Sequence, residues 1–162
     1  MRTFYNECCG GGENGQLSRR FDKIAGLTEN KTMDAQIEGL KWDANGLVPA
    51  IIQDDKTGQV LVLFWMNKEA LAKTLATGKV HSFSRSRGRL ALKGETSGHF
   101  ELVKSVYTDC DKDVVLVRVE QIGAACHEGY YSCFFRQYDK SGTDWKIVAS
   151  PVVDPEKVYS KK

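Results

Sequence analysis

A mostly β, α+β single domain with one short helix is the fold class this sequence predicts, on three observations. Runs rich in Val, Ile, Leu and Phe recur between turn-forming residues at Gly46–Gln53, Gln59–Trp65, Leu102–Tyr107, Val114–Val119 and Ser132–Tyr138. Only Asn67 to Gly78 carries both a helix start and a helix stop. The 162 residues suffice for one real core and are too few to expect two.

Composition narrows the function classes. Hydrophobic residues make up 41% and charged residues 27%, the balance of a soluble globular chain. A net charge of +2 implies neither a nucleic-acid surface nor an acidic tail, so any phosphate binding must come from a local cluster. No apolar run is long enough to span a bilayer and no secretory signal opens the chain, so no membrane partner is expected. Five cysteines without an export signal predict reduced thiols and a cytoplasmic location.

In chain order, residues 1–32 are rich in Gly, Asn and charge and predict a disordered or loosely packed extension; Cys8 and Cys9 there have no partner cluster nearby. Met33-Asp34-Ala35-Gln36 looks like a self-sufficient start. The domain is expected over 33–150. Gly46–Gln53 and Gln59–Trp65 form an antiparallel pair joined by the turn Asp54-Asp55-Lys56-Thr57-Gly58. Asn67 caps the helix, Glu69 favours its first turn, Gly78 ends it, and Ala70, Leu71, Thr74 and Leu75 make its narrow face. Val80–Ser84 alternates and leads into the donor-rich Arg85-Ser86-Arg87-Gly88-Arg89. Trp145–Val148 reads as an edge strand. Residues 151–162, punctuated by Pro151 and Pro155 and ending Lys161-Lys162, read as a polar tail.

Two stretches carry chemistry. In an extended backbone Asp109, Asp111 and Asp113 share one face and Cys110 takes the other. Three crowded carboxylates suit magnesium or calcium, and a solvated loop is the plain alternative. Cys110, Cys126 and Cys133 are soft donors that suit zinc with an open fourth position, where a bound water is acidified for hydrolysis. Otherwise they are small buried hydrophobes. Ser84 to Arg87 and the glycine-punctuated Lys93-Gly94-Glu95-Thr96-Ser97-Gly98-His99 together suggest a phosphate cradle, or else a solvated loop with surface arginines.

In order and spacing, Ser84-Arg85-Ser86-Arg87-Gly88, Lys93–Gly98, Asp109–Asp113 and Cys126-His127 through Ser132-Cys133-Phe134 resemble the phosphoribosyl-AMP cyclohydrolase family of histidine biosynthesis. The resemblance covers Gly46 to Arg136. It implies hydrolytic opening of the adenine ring of a small-molecule nucleotide, N1-(5-phosphoribosyl)-AMP, between N1 and C6. It also implies an intertwined homodimer with one zinc per subunit, held by Cys110 of one chain and Cys126 with Cys133 of the other. Asp109, Asp111 and Asp113 match the family's magnesium ligands. His127 is the first candidate for acid–base work and His99 the second, with a supporting structural role as the alternative for His127. Ser84, Arg85, Ser86, Arg87, Lys93, Glu95, Thr96 and Ser97 are the candidate substrate contacts.

The chain departs from the family pattern at Ala91, usually Trp, and at Trp65, usually Tyr. It also departs at Glu128, Tyr130 and Tyr131, where a threonine with basic neighbours is usual. The family's frequent fused partner, a phosphoribosyl-ATP pyrophosphohydrolase, is not expected here. Two other readings stay open: a zinc hydrolase of another purine nucleotide, and a non-catalytic dimer clasped by zinc.

Overall fold

The computed structural model describes residues 34–142 and 144–159. The extension expected over residues 1–32, Cys8, Cys9, the start at Met33 and the terminal lysine pair lie outside the described residues. The chain divides into two units between Gln36 and Ile37, and the sheets, the helices below and the site belong to the second.

The main sheet has four strands in the order β2-β1-β6-β5. β1 (Val48–Asp54) and β6 (Val115–Gln121) are central and bury alternate residues, Val48, Ala50 and Ile52 on one and Val115, Val117 and Val119 on the other. That period-2 burial is what a sheet with one core face requires. β2 (Val60–Met66) pairs antiparallel to β1 through the expected turn, where Thr57 N and Oγ1 donate to Asp54 Oδ2 at 2.9 and 2.6 Å. β5 (Glu101–Thr108) pairs antiparallel to β6. β1 and β6 run parallel, with Ala50 opposite Val115.

The long crossover between them holds α1 (Lys68–Thr77) and a hairpin of β3 (His81–Ser84) and β4 (Arg89–Leu92). Asn67 caps α1 through Oδ1, which accepts from Ala70 N at 2.8 Å, and Gly78 ends it at φ 65°. Ala70, Leu71 and Thr74 are buried as expected, whereas Leu75 is exposed. Thr74 Oγ1 accepts from His81 N at 2.9 Å and ties helix to hairpin.

One local reading needs correction, and two segments form elements that were not expected. Ser132–Tyr138 is not one strand. Ser132 Oγ donates to Val60 O at 2.7 Å and accepts from Phe134 N at 2.9 Å, which bends the chain, and only β7 (Arg136–Tyr138) is extended, paired with β8 (Trp145–Ile147). The segment after Gly88 returns as β4 because Gly88, at φ 58°, closes a hairpin. The chain over 151–159 is not wholly irregular and ends in α2 (Pro155–Tyr159), a single helical turn. Among the described residues no helix is long and apolar enough to cross a membrane.

Candidate active site

The acidic trio does not lie on extended backbone. Asp109–Asp113 is a turn between β5 and β6 in which Lys112 adopts φ 63° and Asp109 Oδ1 accepts from the amides of Asp113 and Val114 at 3.2 and 3.3 Å. The turn, not strand alternation, gathers the three carboxylates, whose oxygens lie within 4.8 Å of one another and are exposed. Burial works to raise the Asp109 carboxyl, but hydrogen bonds from Asp111 and these amides outweigh it and hold it low. Asp113 is raised, first by desolvation and then by the charges of Asp111 and Asp109. Such crowding fits a hard divalent cation.

Cys126 and Cys133 sit on the other side of the sequence motif and in a different setting. The turn from Cys126 to Gly129 and the bend at Ser132 return the chain so that Cys126 N donates to Tyr130 O at 3.1 Å and Cys133 N to Leu61 O at 2.7 Å. Cys126 is buried and Cys133 half-buried. Burial, then the charge and hydrogen bond of Cys126, push the Cys133 thiol up to about 12. Two neighbouring sulfur donors, one of them a thiol this reluctant to ionise, fit a soft cation that displaces protons from sulfur. Cys110 is exposed at the acidic turn, and among the described residues the three cysteines of one chain form no ligand cluster.

A cavity of about 340 Å³ opens beside Cys133 and is lined by Lys93, Glu95, Thr96, Ser97, His99 and His127. Gly94 and Gly123 make this possible: a Cβ on Gly123 would lie 2.5 Å from the His99 ring, and one on Gly94 would lie 2.6 Å from the His99 carbonyl. The His99 ring therefore packs against Gly123, its Nδ1 buried without a hydrogen-bond partner among the described residues. Ser97 Oγ accepts from His99 N at 3.2 Å, and His127 is exposed at the rim.

Glu101, which the sequence reading passed over, is fully buried behind this wall with neither carboxylate oxygen hydrogen-bonded. Lys93 Nζ lies 4.0 Å from Oε1. Burial raises the Glu101 carboxyl to about 7, opposed only by the Lys93 charge. Its signal in the sequence is an acid opening an apolar strand opposite Gln121.

The expected phosphate cradle is divided. Lys93 to Ser97 line the cavity, whereas Arg85 and Ser86 lie at the β3–β4 tip in a second, shallower cleft with Leu63, Phe64, Trp65 and Phe83. Ser84 approaches Ser86, Oγ to Oγ, at 3.4 Å, and Arg87 lines neither cleft. Arg85 stacks over Trp65 at 4.8 Å, and Lys93 reaches within 5.6 Å of Phe64 between the two. The departures near the cysteines are locally satisfied. Glu128 pairs with Arg136 at 3.2 Å, Tyr130 stacks on Phe135 at 3.6 Å, and Arg136 covers the Phe135 ring at 4.1 Å.

Comparison with known proteins places this arrangement. A family model described as phosphoribosyl-AMP cyclohydrolase matches residues 62–135. The phosphoribosyl-AMP cyclohydrolase of Burkholderia cenocepacia is 50% identical over 135 residues, covering 82% of this chain and 98% of its own length. That of Pelotomaculum thermopropionicum is 52% identical over 130 residues, covering 80% and 100%. A histidine biosynthesis bifunctional protein of Thermoanaerobacter pseudethanolicus is 53% identical over 127 residues, and the chain spans 58% of its length.

Proposed function

The chain belongs to the phosphoribosyl-AMP cyclohydrolase family, and we propose that it hydrolyses the adenine ring of N1-(5-phosphoribosyl)-AMP between N1 and C6, a cytoplasmic step of histidine biosynthesis. The observation that carries the reading is the cavity itself, which brings His99, His127, Lys93 and the Glu95–Ser97 loop together beside Cys133.

Substitution at N1 disrupts the aromaticity of the adenine ring and leaves C6 electrophilic. Water adds at C6, the C6–N1 bond breaks, the water gives up a proton and N1 takes one. His127 stands at the rim, where an imidazole can accept the first proton and return it to the leaving nitrogen. His99, fixed against Gly123, is the second candidate. Lys93 offers a point charge, and Thr96 and Ser97 offer hydroxyls to the phosphoribosyl groups. Arg85 and Ser86 hold the second phosphate end from the neighbouring cleft, with Ser84 and Arg87 beside them.

Cys126 and Cys133 would hold zinc together with Cys110 of a second copy. Bound there, zinc supplies an acidified water and an electrophilic contact for the purine. Asp109, Asp111 and Asp113 would hold magnesium as a counter-charge to phosphate. The shared site makes the active form a homodimer, a reading supported by the distance in setting between exposed Cys110 and the buried pair.

The test is turnover of phosphoribosyl-AMP, followed by its ring-opening absorbance change, on protein of known zinc content before and after chelation. Zinc-dependent turnover is expected; no turnover by folded, zinc-loaded protein with magnesium supplied would move the substrate to another purine nucleotide. Mixing inactive Cys110→Ser and Cys126→Ser proteins should restore part of the activity, because one of the two composite sites in a mixed dimer is intact. No recovery despite demonstrated subunit exchange would place each site within one chain.

A further inference from the structure

The C-terminal segment beyond β8 reaches the cavity. The Gly129 carbonyl accepts from both Val152 N and Val153 N, at 2.8 and 3.2 Å, two residues along from His127. Gly129 adopts φ 86°, and a Cβ there would collide with the Val153 carbonyl oxygen and lie 3.2 Å from Pro155 Cδ. The close approach of the two segments therefore requires glycine. Asp154 Oδ1 accepts from Glu156 N at 3.0 Å and starts α2, with Pro155 supplying a fixed φ at its first position. One turn later Tyr159 lies in the cavity wall with His127 and Cys133. Among the described residues lining that cavity, it supplies the sole phenol ring; the rest are aliphatic, small, charged, hydroxyl or imidazole groups.

We propose that Tyr159, carried to the cavity by the strap pinned at Gly129, is a substrate-positioning residue that packs its ring against the purine nucleotide. This rests on the cyclohydrolase reading of the same cavity. A nucleobase is flat and polarisable, and an aromatic side chain is the surface on which it loses least when it leaves water. Gly129 then acts at one remove, by holding the strap that presents the ring.

The experiment compares steady-state kinetics on phosphoribosyl-AMP, and calorimetric binding of AMP as an inert probe, for the wild type, Tyr159→Ala, Tyr159→Phe and Gly129→Ala. Tyr159→Ala should raise KM about 10-fold with kcat changed less than about twofold, the size of one lost aromatic stack. Tyr159→Phe should restore wild-type KM, since the ring and not the hydroxyl makes the contact. Gly129→Ala should repeat the KM rise without touching Tyr159, and faster hydrogen exchange at the Val152 and Val153 amides would report release of the strap. An unchanged KM in Tyr159→Ala, with the wild type turning over, overturns the positioning role and leaves the cyclohydrolase reading standing. If the wild type does not turn over, that reading fails. Weaker AMP binding by Tyr159→Ala than by the wild type would still support the purine contact, and equal binding by the two, or none by the wild type, would overturn it too.

Discussion

The acidic turn and the cysteine cavity solve the problem of concentrated charge in opposite ways. Asp109, Asp111 and Asp113 gather in five consecutive exposed residues, where a turn and two amide hydrogen bonds suffice to hold them. Cys126, Cys133, Lys93, Glu101 and His99 come from separate segments and are wholly or partly buried. At the turn hydrogen bonds hold Asp109 low while desolvation and like charge raise Asp113; inside, the loss of water pushes Cys133 to about 12 and Glu101 to about 7. The same residue chemistry is thus cheap to assemble at the surface and strongly altered inside.

Four measurements would break or sharpen that contrast. The largest effect is expected from Cys126→Ser, which should lose bound zinc and lower turnover by more than about 100-fold, the range at which even supporting groups of a metal site begin to matter. Unchanged zinc content and activity would remove the cysteine pair from the chemistry.

Next comes Glu101→Gln in metal-stripped protein. The folded-state value of about 7 lies above the ordinary 4.5, so the folded chain keeps a proton that the unfolded chain releases. The contribution of Glu101 to stability is complete below about pH 4.5 and is lost as pH rises through about 7. Glu101→Gln should flatten that dependence, which is on the order of 3 kcal/mol across the window. Urea unfolding at pH 4.5 and pH 8 measures it, and equal slopes in both proteins would mean that Glu101 is solvated.

Gly123→Ala should cost about 1–3 kcal/mol, because the new Cβ meets the His99 ring at 2.5 Å and the backbone sits at φ 70°. A thermal unfolding curve unchanged from wild type would show that the ring moves freely. The smallest effect is expected at the surface. Asp111→Asn should change stability by less than about 1 kcal/mol while lowering the Asp113 carboxyl toward its ordinary value, since one of its like-charged neighbours is gone. Carbon-detected NMR titration would follow Asp113, and a carboxyl that stays fully raised would assign the shift to desolvation and Asp109 rather than to Asp111.

What was legible in the chain is what short segments encode by themselves. The strand within Gly46–Gln53, the Asn67 and Gly78 caps and the turn at Asp54–Gly58 all appear as expected, because each depends on contacts within a few residues. The acidic trio is brought together as its spacing suggested, although by a turn rather than by a strand. The four linked motifs named the family before any coordinate did, since residue type and spacing are preserved in the chain itself.

Other features depended on the tertiary structure. The parallel pairing of β1 with β6 links residues more than sixty positions apart, and no local period announces it. Ser132 could become a bend only once Val60 O lay within reach of its hydroxyl. Glu101 and Tyr159 look like an ordinary strand-opening acid and a tail aromatic until the sheet encloses the first and Gly129 draws in the second. Hydrogen bonding between neighbours is written in sequence, whereas burial belongs to the assembled fold. Burial is what removes water, and removing water is what changes how these side chains hold their protons.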